Sequence, residues 1–274
     1  MRDILLPEDY EEPRCPLDVG NSSEKHITRI PTHRVIEKLD EHLSRNDFAA
    51  AERHLHYWRG EAEAGNDTHG LITVDNELIG LYRRLGRRDD SYAAAERVLK
   101  SVESMEGRIT AATAYINAAT AYKAFGEADR ALPLYRRARE IYESRLSRDD
   151  TRMAALYNNM GLCLVDLSMF DEANELYRRA IEITRESSDG NVESAITYMN
   201  MANAVEAEFG LESGEESINE LLTKAEGCLE ADVSRTDGYY AYACEKSAPT
   251  FRYYGWFAYA DELSERVKKI YAGN

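Results

Sequence analysis

The sequence predicts an all-α fold, a right-handed α-solenoid of about six antiparallel helix pairs, and three observations carry that prediction. First, AATAYINAATAYKAFGEADRALPLYRRAREIY, from Ala111 to Tyr142, can be laid over a later stretch at an offset of 42. At that offset Asn117 falls on Asn159, Tyr115 on Tyr157, Ala131 on Ala173, Tyr135 on Tyr177, Ala138 on Ala180 and Ile141 on Ile183. Second, a turn residue recurs as Asn46, Gly86, Gly126, Ser168, Gly210 and Gly255, at spacings of 40, 40, 42, 42 and 45. Third, the segments on either side of each turn carry apolar residues at helical spacing. A single pair of such helices cannot bury both apolar faces, whereas stacked pairs share a continuous core.

The elements follow in order. Residues 1–31 contain Pro7, Pro13 and Pro16 and no helical period, so they read as an extended arm. Ile4, Leu5 and Leu6 are expected to pack it back on the solenoid, placed to occupy a groove as a stand-in ligand. Residues 32–274 form the solenoid, with Thr32 expected to cap the first helix after Pro31. The first pair is HRVIEKLDEHLSRNDFAAAERHLHYW; the second starts near Leu71 and the fifth near Ala195. Both of these are expected to carry a few extra residues after their turns.

In the third pair Tyr115, Ala118, Ala119 and Tyr122 make one stripe of an amphipathic A helix. Ala131, Leu134, Tyr135, Ala138 and Ile141 do the same in the B helix. Gly126 between them suits the left-handed backbone that ends a helix. In the sixth pair Pro249 removes a hydrogen bond and is expected to kink the A helix, where Arg252, Tyr253, Tyr254 and Trp256 crowd its last turn.

The order aromatic, Asn, small residue, Gly or Ala, aromatic, turn Gly, Ala, Tyr, Ala resembles the tetratricopeptide repeat, and YNNMGLCLVDLSMFDEANELYRRAIEI matches it best. The usual unit is about 34 residues, so a spacing near 42 is similar to the long-helix variety of kinesin light chain and spindle-orientation adaptors. RALPLYRRA, with Pro133 just inside the B helix, is also similar to kinesin light chain repeats. The resemblance implies a scaffold that binds a protein or peptide segment on a concave surface lined by A helices.

Asn117 is rotated away from the packing stripe toward that inner surface, and so are Asn159 and Asn200. In the long-helix relatives a ladder of asparagines holds the backbone of an extended peptide, and an amide offers both the donor and the acceptor a peptide group needs. Asn158 and Asn203 are assigned to the same surface, with Thr113, Ile116, Thr120, Leu162 and Met199 around them; Lys246 takes the equivalent slot in the last repeat. The same amides could instead tie one repeat to the next. A carboxylate clamp does not fit, since Ile116, Asn158 and Met199 stand where it needs lysine. Two other roles stay open: self-association as a structural repeat protein, with homo-oligomers, and sensing of a short signalling peptide.

Composition narrows the classes. A net charge of −16 opposes binding to nucleic acid and to anionic membranes. No apolar run is long enough to span a bilayer, and the N-terminus lacks the pattern of a signal peptide, so a cytoplasmic protein is expected. Cys15, Cys163, Cys228 and Cys244 show no CxxC spacing and read as structural thiols. His33, His42, His54 and His56 lack a metal-ligand pattern; there is no phosphate loop, no GxSxG elbow and no nucleophile, base and orienter set. No enzyme activity, cofactor or metal is expected. Arg136 with Glu140 and Arg178 with Glu182 are expected to form ion pairs on the outer face of the B helices.

Overall fold

The computed structural model describes residues 29–273. It is all-α, with no strand among the described residues, and consecutive helices pack in pairs. The chain divides into two compact units between Glu106 and Gly107. The packing expected of Ile4, Leu5 and Leu6 lies outside the described residues.

The first unit holds α1 (Thr32–Ser44), α2 (Phe48–Ala64), α3 (Thr68–Arg84) and α4 (Arg88–Val102), followed by a 3-10 turn, Glu103–Met105. Thr32 does not cap α1. It already lies in the helix, behind Pro31, and no side chain caps that end. Aspartates cap α2 and α3: Asp47 Oδ1 accepts from the Ala50 N–H at 3.0 Å, and Asp67 Oδ1 accepts from the Gly70 N–H at 2.9 Å. The second oxygen of Asp67 accepts from the Ile30 N–H at 2.9 Å, which pins the chain ahead of α1 to the start of α3. A Cβ at Gly70 would sit 2.5 Å from that oxygen and 2.7 Å from Ile30 Cγ1, so only glycine fits there.

Asp75, buried on α3, pairs with Arg59 of α2 at 3.2 Å and with Arg97 of α4 at 2.6 Å. One carboxylate thus ties three consecutive helices; without it Arg97 would lose its ion-pair partner, while Arg59 would keep only Glu63 at 3.3 Å. α4 carries no extra residues after Gly86, contrary to expectation. It begins two residues on, as α6 does after Gly126, and Ser91 stands where Ala131 stands. A run of small side chains hides that alignment; Ser91 is fully buried because its hydroxyl donates to the Ile79 carbonyl at 3.2 Å.

The second unit holds α5 (Ile109–Ala124), α6 (Ala128–Arg145), α7 (Thr151–Asp166), α8 (Phe170–Thr184), α9 (Gly190–Ala231), α10 (Gly238–Tyr253) and α11 (Phe257–Gly273). Tyr115, Ala118, Ala119 and Tyr122 are all buried, as are Ala131, Tyr135 and Ala138. Arg137 lies over the Tyr115 ring at 4.7 Å and Arg130 over Tyr122 at 4.0 Å, so arginines of α6 cover tyrosines of α5. The pairs expected on the B helices do not form. Arg136 reaches Glu172 on the neighbouring helix at 3.5 Å, Arg178 makes no ion pair with another described residue, and the adjacent Arg179 pairs with Glu175 at 2.6 Å.

All six turn residues have positive φ: Asn46, Ser168 and the four glycines at 86, 126, 210 and 255. Gly210 differs from the rest. Its φ of 78° and ψ of 166° break α9 into two halves, in a region that essentially only glycine adopts. The first buried aliphatic residue beyond it, Ile218, comes eight residues after the turn, whereas Ala173 comes five after Ser168. The fifth pair therefore carries three extra residues, almost one helical turn. α10 continues through Pro249 to Tyr253, so the proline removes a hydrogen bond without ending the helix.

Candidate functional site

The A helices of the second unit are α5, α7, the first half of α9, and α10. α7 packs against both α5 and α9, which sets three A-helix faces side by side. Counted back from the turns, Ile116, Asn158 and Asn200 share one level, ten residues before Gly126, Ser168 and Gly210. Asn117, Asn159 and Met201 share the next. The register differs by one residue from the expected ladder, since the spacing between these turns is 42 and Asn200 therefore matches Asn158 rather than Asn159.

Hydrogen bonds agree with that register. Asn158 Nδ2 donates to Thr197 Oγ1 at 2.9 Å, and Asn200 Nδ2 donates to Asn158 Oδ1 at 3.2 Å. Thr197 in turn donates to the Glu193 carbonyl at 2.8 Å. Asn158 thus uses both ends of its amide to join α7 to α9. Asn203 is also engaged, its Oδ1 accepting from Tyr254 Oη at 2.9 Å across to the end of α10.

Asn159 is different. It is half-buried, and its side chain makes no hydrogen bond to another described residue, so donor and acceptor both remain open. Asn117 is half-buried in the same register on α5. Ile116 and Leu162 are half-buried beside these amides and supply apolar surface. Thr113 and Thr120 turn their hydroxyls back to the helix, donating to Ile109 O at 3.2 Å and Ile116 O at 2.7 Å. Thr120 Oγ1 also lies 2.9 Å from Tyr135 Oη.

Met199 does not line this surface. It is 5% exposed and packs in the core, in register with Tyr115 and Tyr157, because it falls on the stripe that meets neighbouring helices. Lys246 is exposed on α10, its ammonium 5.5 Å from the Tyr242 ring centroid. Sequence reasoning missed Thr197, which is fully buried; the signal was its position in the slot of Thr113. Glu206, expected on the same face, accepts from Tyr253 Oη at 2.6 Å and Tyr254 Oη at 2.7 Å. Burial, and then the Glu206 carboxylate, push the Tyr254 hydroxyl well above its ordinary range.

Among the described residues no group of His, Cys, Asp and Glu could hold a metal ion. His54 Nε2 is spent on the Val35 carbonyl at 2.9 Å, and His56 Nε2 lies 2.9 Å from Tyr82 Oη. Cys163, Cys228 and Cys244 are free thiols. Cys163 donates to the Ala128 carbonyl at 3.3 Å, and burial pushes its thiol up to about 11, which suits a packing role. No described helix is long and apolar enough to cross a membrane.

A tetratricopeptide repeat model matches residues 70–144, and a second matches 154–187. The solved structure of BtubC (BKLC) from P. vanneervenii is similar, with a TM-score of 0.63 and 22% identity, over 74% of this chain and 81% of that one. So are nearly identical TPR-like repeats from Podosopora anserina, named for kinesin light chain: TM-score 0.51, 18% identity, over 73% and 94% of the two chains. At such identities the likeness is one of fold. No curated protein sequence matches this chain.

Proposed function

Since the chain carries tetratricopeptide repeats folded like those of kinesin-light-chain-like proteins, we propose that it is a non-enzymatic scaffold that holds an extended protein segment along the A helices of its second unit. Tetratricopeptide repeats are interaction modules, and stacked helix pairs offer a long surface in place of a reaction pocket. The observation that carries the reading is the open amide of Asn159, set beside the half-buried side chains Ile116 and Leu162. An amide with both functions unspent matches the C=O and N–H of a peptide group, and flanking apolar surface accepts alternate side chains of an extended strand.

Asn117 and Asn200 extend the clamp on either side, Asn200 through its Oδ1. Asn158 acts differently in this scheme, holding α7 and α9 at the spacing the ligand meets. The test is selection from a random-peptide display library on the wild type and on Asn159→Ala. Peptides with a shared apolar pattern, enriched by the wild type and lost with the variant, are the expected result. Equal enrichment by both proteins would overturn the assignment.

A further inference from the structure

We propose that the turn edge of the fifth and sixth repeats, at the C-terminal ends of their A helices, docks a basic amphipathic segment of a partner protein. The starting point is an anomaly at Gly210. In α3, α5 and α7 the apolar residue around the helix end (Leu85, Phe125 and Leu167) is half-buried. Phe209, in the same place, is 57% exposed. The cause is the backbone at Gly210, where the helix resumes at once with three added residues and leaves Phe209 without the cover that the other turns provide. Leu211, in the added turn, is 49% exposed.

The turn at Gly255 stands beside it. Tyr253 Oη bonds Glu206 at 2.6 Å, and Trp256 Nε1 donates to Asn219 Oδ1 at 2.9 Å, which ties the end of α10 and the start of α11 to both halves of α9. Tyr253 and Phe257 are among the most exposed large apolar residues of the chain. Phe209, Leu211, Tyr253 and Phe257 thus crowd one edge, and apolar surface gathered in this way marks an interaction site.

Charge selects the occupant. Between Arg185 and Lys224 the chain has no Lys or Arg, while it carries Glu186, Asp189 and seven further glutamates. Glu208, Glu212, Glu215 and Glu216, around the exposed turn, make no ion pair with another described residue. The nearby Arg252 is committed to Asp261. A second copy presenting this edge would set carboxylate against carboxylate, and an anionic bilayer would be repelled. A helix with Leu or Phe on one face and Lys or Arg along its flanks satisfies both features.

The test uses a labelled Leu/Lys peptide of about eighteen residues, five helical turns, patterned as an amphipathic helix. A scrambled peptide of the same composition and a Leu/Glu version serve as controls, read by fluorescence anisotropy against the full chain. The patterned Leu/Lys peptide should bind best. Phe209→Ser with Phe257→Ser should weaken it by about tenfold or more, and Asn159→Ala should leave it unchanged. Glu208→Gln with Glu212→Gln keeps both rings and should also weaken it. Binding of the scrambled peptide as tight as that of the patterned one, or full affinity in both edge variants, would overturn the proposal. So would sedimentation showing a wild-type dimer that Phe209→Ser with Phe257→Ser dissolves, since the occupant would then be a second copy.

Discussion

The ring of Tyr177 on α8 sits against the backbone of α7 at Gly161, where an added Cβ would overlap Cε1 and Cζ of the ring. Tyr177 is fully buried, so the ring has nowhere to retreat.

Gly161→Ala should therefore destabilise the second unit. Helix propensity favours alanine by about 1 kcal/mol, and overpacking a filled site costs about 1–3 kcal/mol. The second effect wins. Gly227, inside the second half of α9, has nothing within 4 Å of an added Cβ, so Gly227→Ala should stabilise by up to about 1 kcal/mol. Urea unfolding of the two variants, compared by midpoint at constant m value, tests the pair; a Gly161→Ala protein as stable as Gly227→Ala would contradict the packing described.

The hydroxyl of the same tyrosine gives a second prediction. Tyr135 and Tyr177 stand in register, nine residues after Gly126 and Ser168. Tyr135 Oη lies 2.9 Å from Thr120 Oγ1. The slot of Thr120 is filled by Leu162 in the next repeat, and Tyr177 Oη is buried with no hydrogen-bond partner among the described residues. Tyr135→Phe should cost about 1 kcal/mol, whereas Tyr177→Phe should be neutral or stabilising, since it removes a buried group that gains nothing from its dipole. Thermal melts of both variants in one buffer would separate them, and equal losses would count against the unpaired hydroxyl.

That difference also indicates what the sequence could and could not disclose. The helix pairs were legible because turn residues recur near every 42 positions and each must reach positive φ, a demand visible in single letters. The second pair was misaligned because Ser91, Ala94 and Ala95 occupy core positions without the large side chains that mark the third and fourth pairs. The ladder is one residue out of register because Asn158 and Asn159 are adjacent: Asn200 lies as far from Gly210 as Asn158 does from Ser168, and the bond from Asn200 to Asn158 agrees. Ion pairs were misassigned since local spacing says nothing of carboxylates on a neighbouring helix, such as Glu172 beside Arg136.

Acid should weaken the start of α10 in a specific way. Asp237 caps that helix, its Oδ1 accepting from the N–H groups of Tyr239 and Tyr240 at 3.0 and 3.1 Å, and it pairs with Arg235 at 2.7 Å. The Arg235 guanidinium, opposed by slight burial and aided by the backbone donors, holds its carboxyl well below the usual carboxylate range. A depressed folded pKa means that the stabilisation is present above the unfolded value, near 3.9, and is lost as pH falls through the folded one. Asp237→Asn keeps an oxygen acceptor but not the charge, and the site is half-exposed, so the effect is modest. Its melting temperature should lie below that of the wild type at pH 6, and the gap should narrow as pH drops below 4. A gap independent of pH would show that the charge contributes nothing.

The two neighbouring asparagines should separate stability from binding. Asn158 donates to Thr197 and accepts from Asn200, and Thr197 is fully buried. Asn158→Ala removes two hydrogen bonds between α7 and α9, each worth about 1 kcal/mol, so the loss in unfolding free energy should reach about 2 kcal/mol. Asn159→Ala breaks no hydrogen bond to a described residue, and alanine is the better helix former, so its stability should be unchanged or slightly raised. Denaturant titrations of the two single variants and of their double variant check this, and the double variant should match Asn158→Ala alone. A large loss in Asn159→Ala would mean that its amide supports the fold, and the surface it shares with Ile116 and Leu162 would then no longer have an open donor and acceptor to offer a ligand.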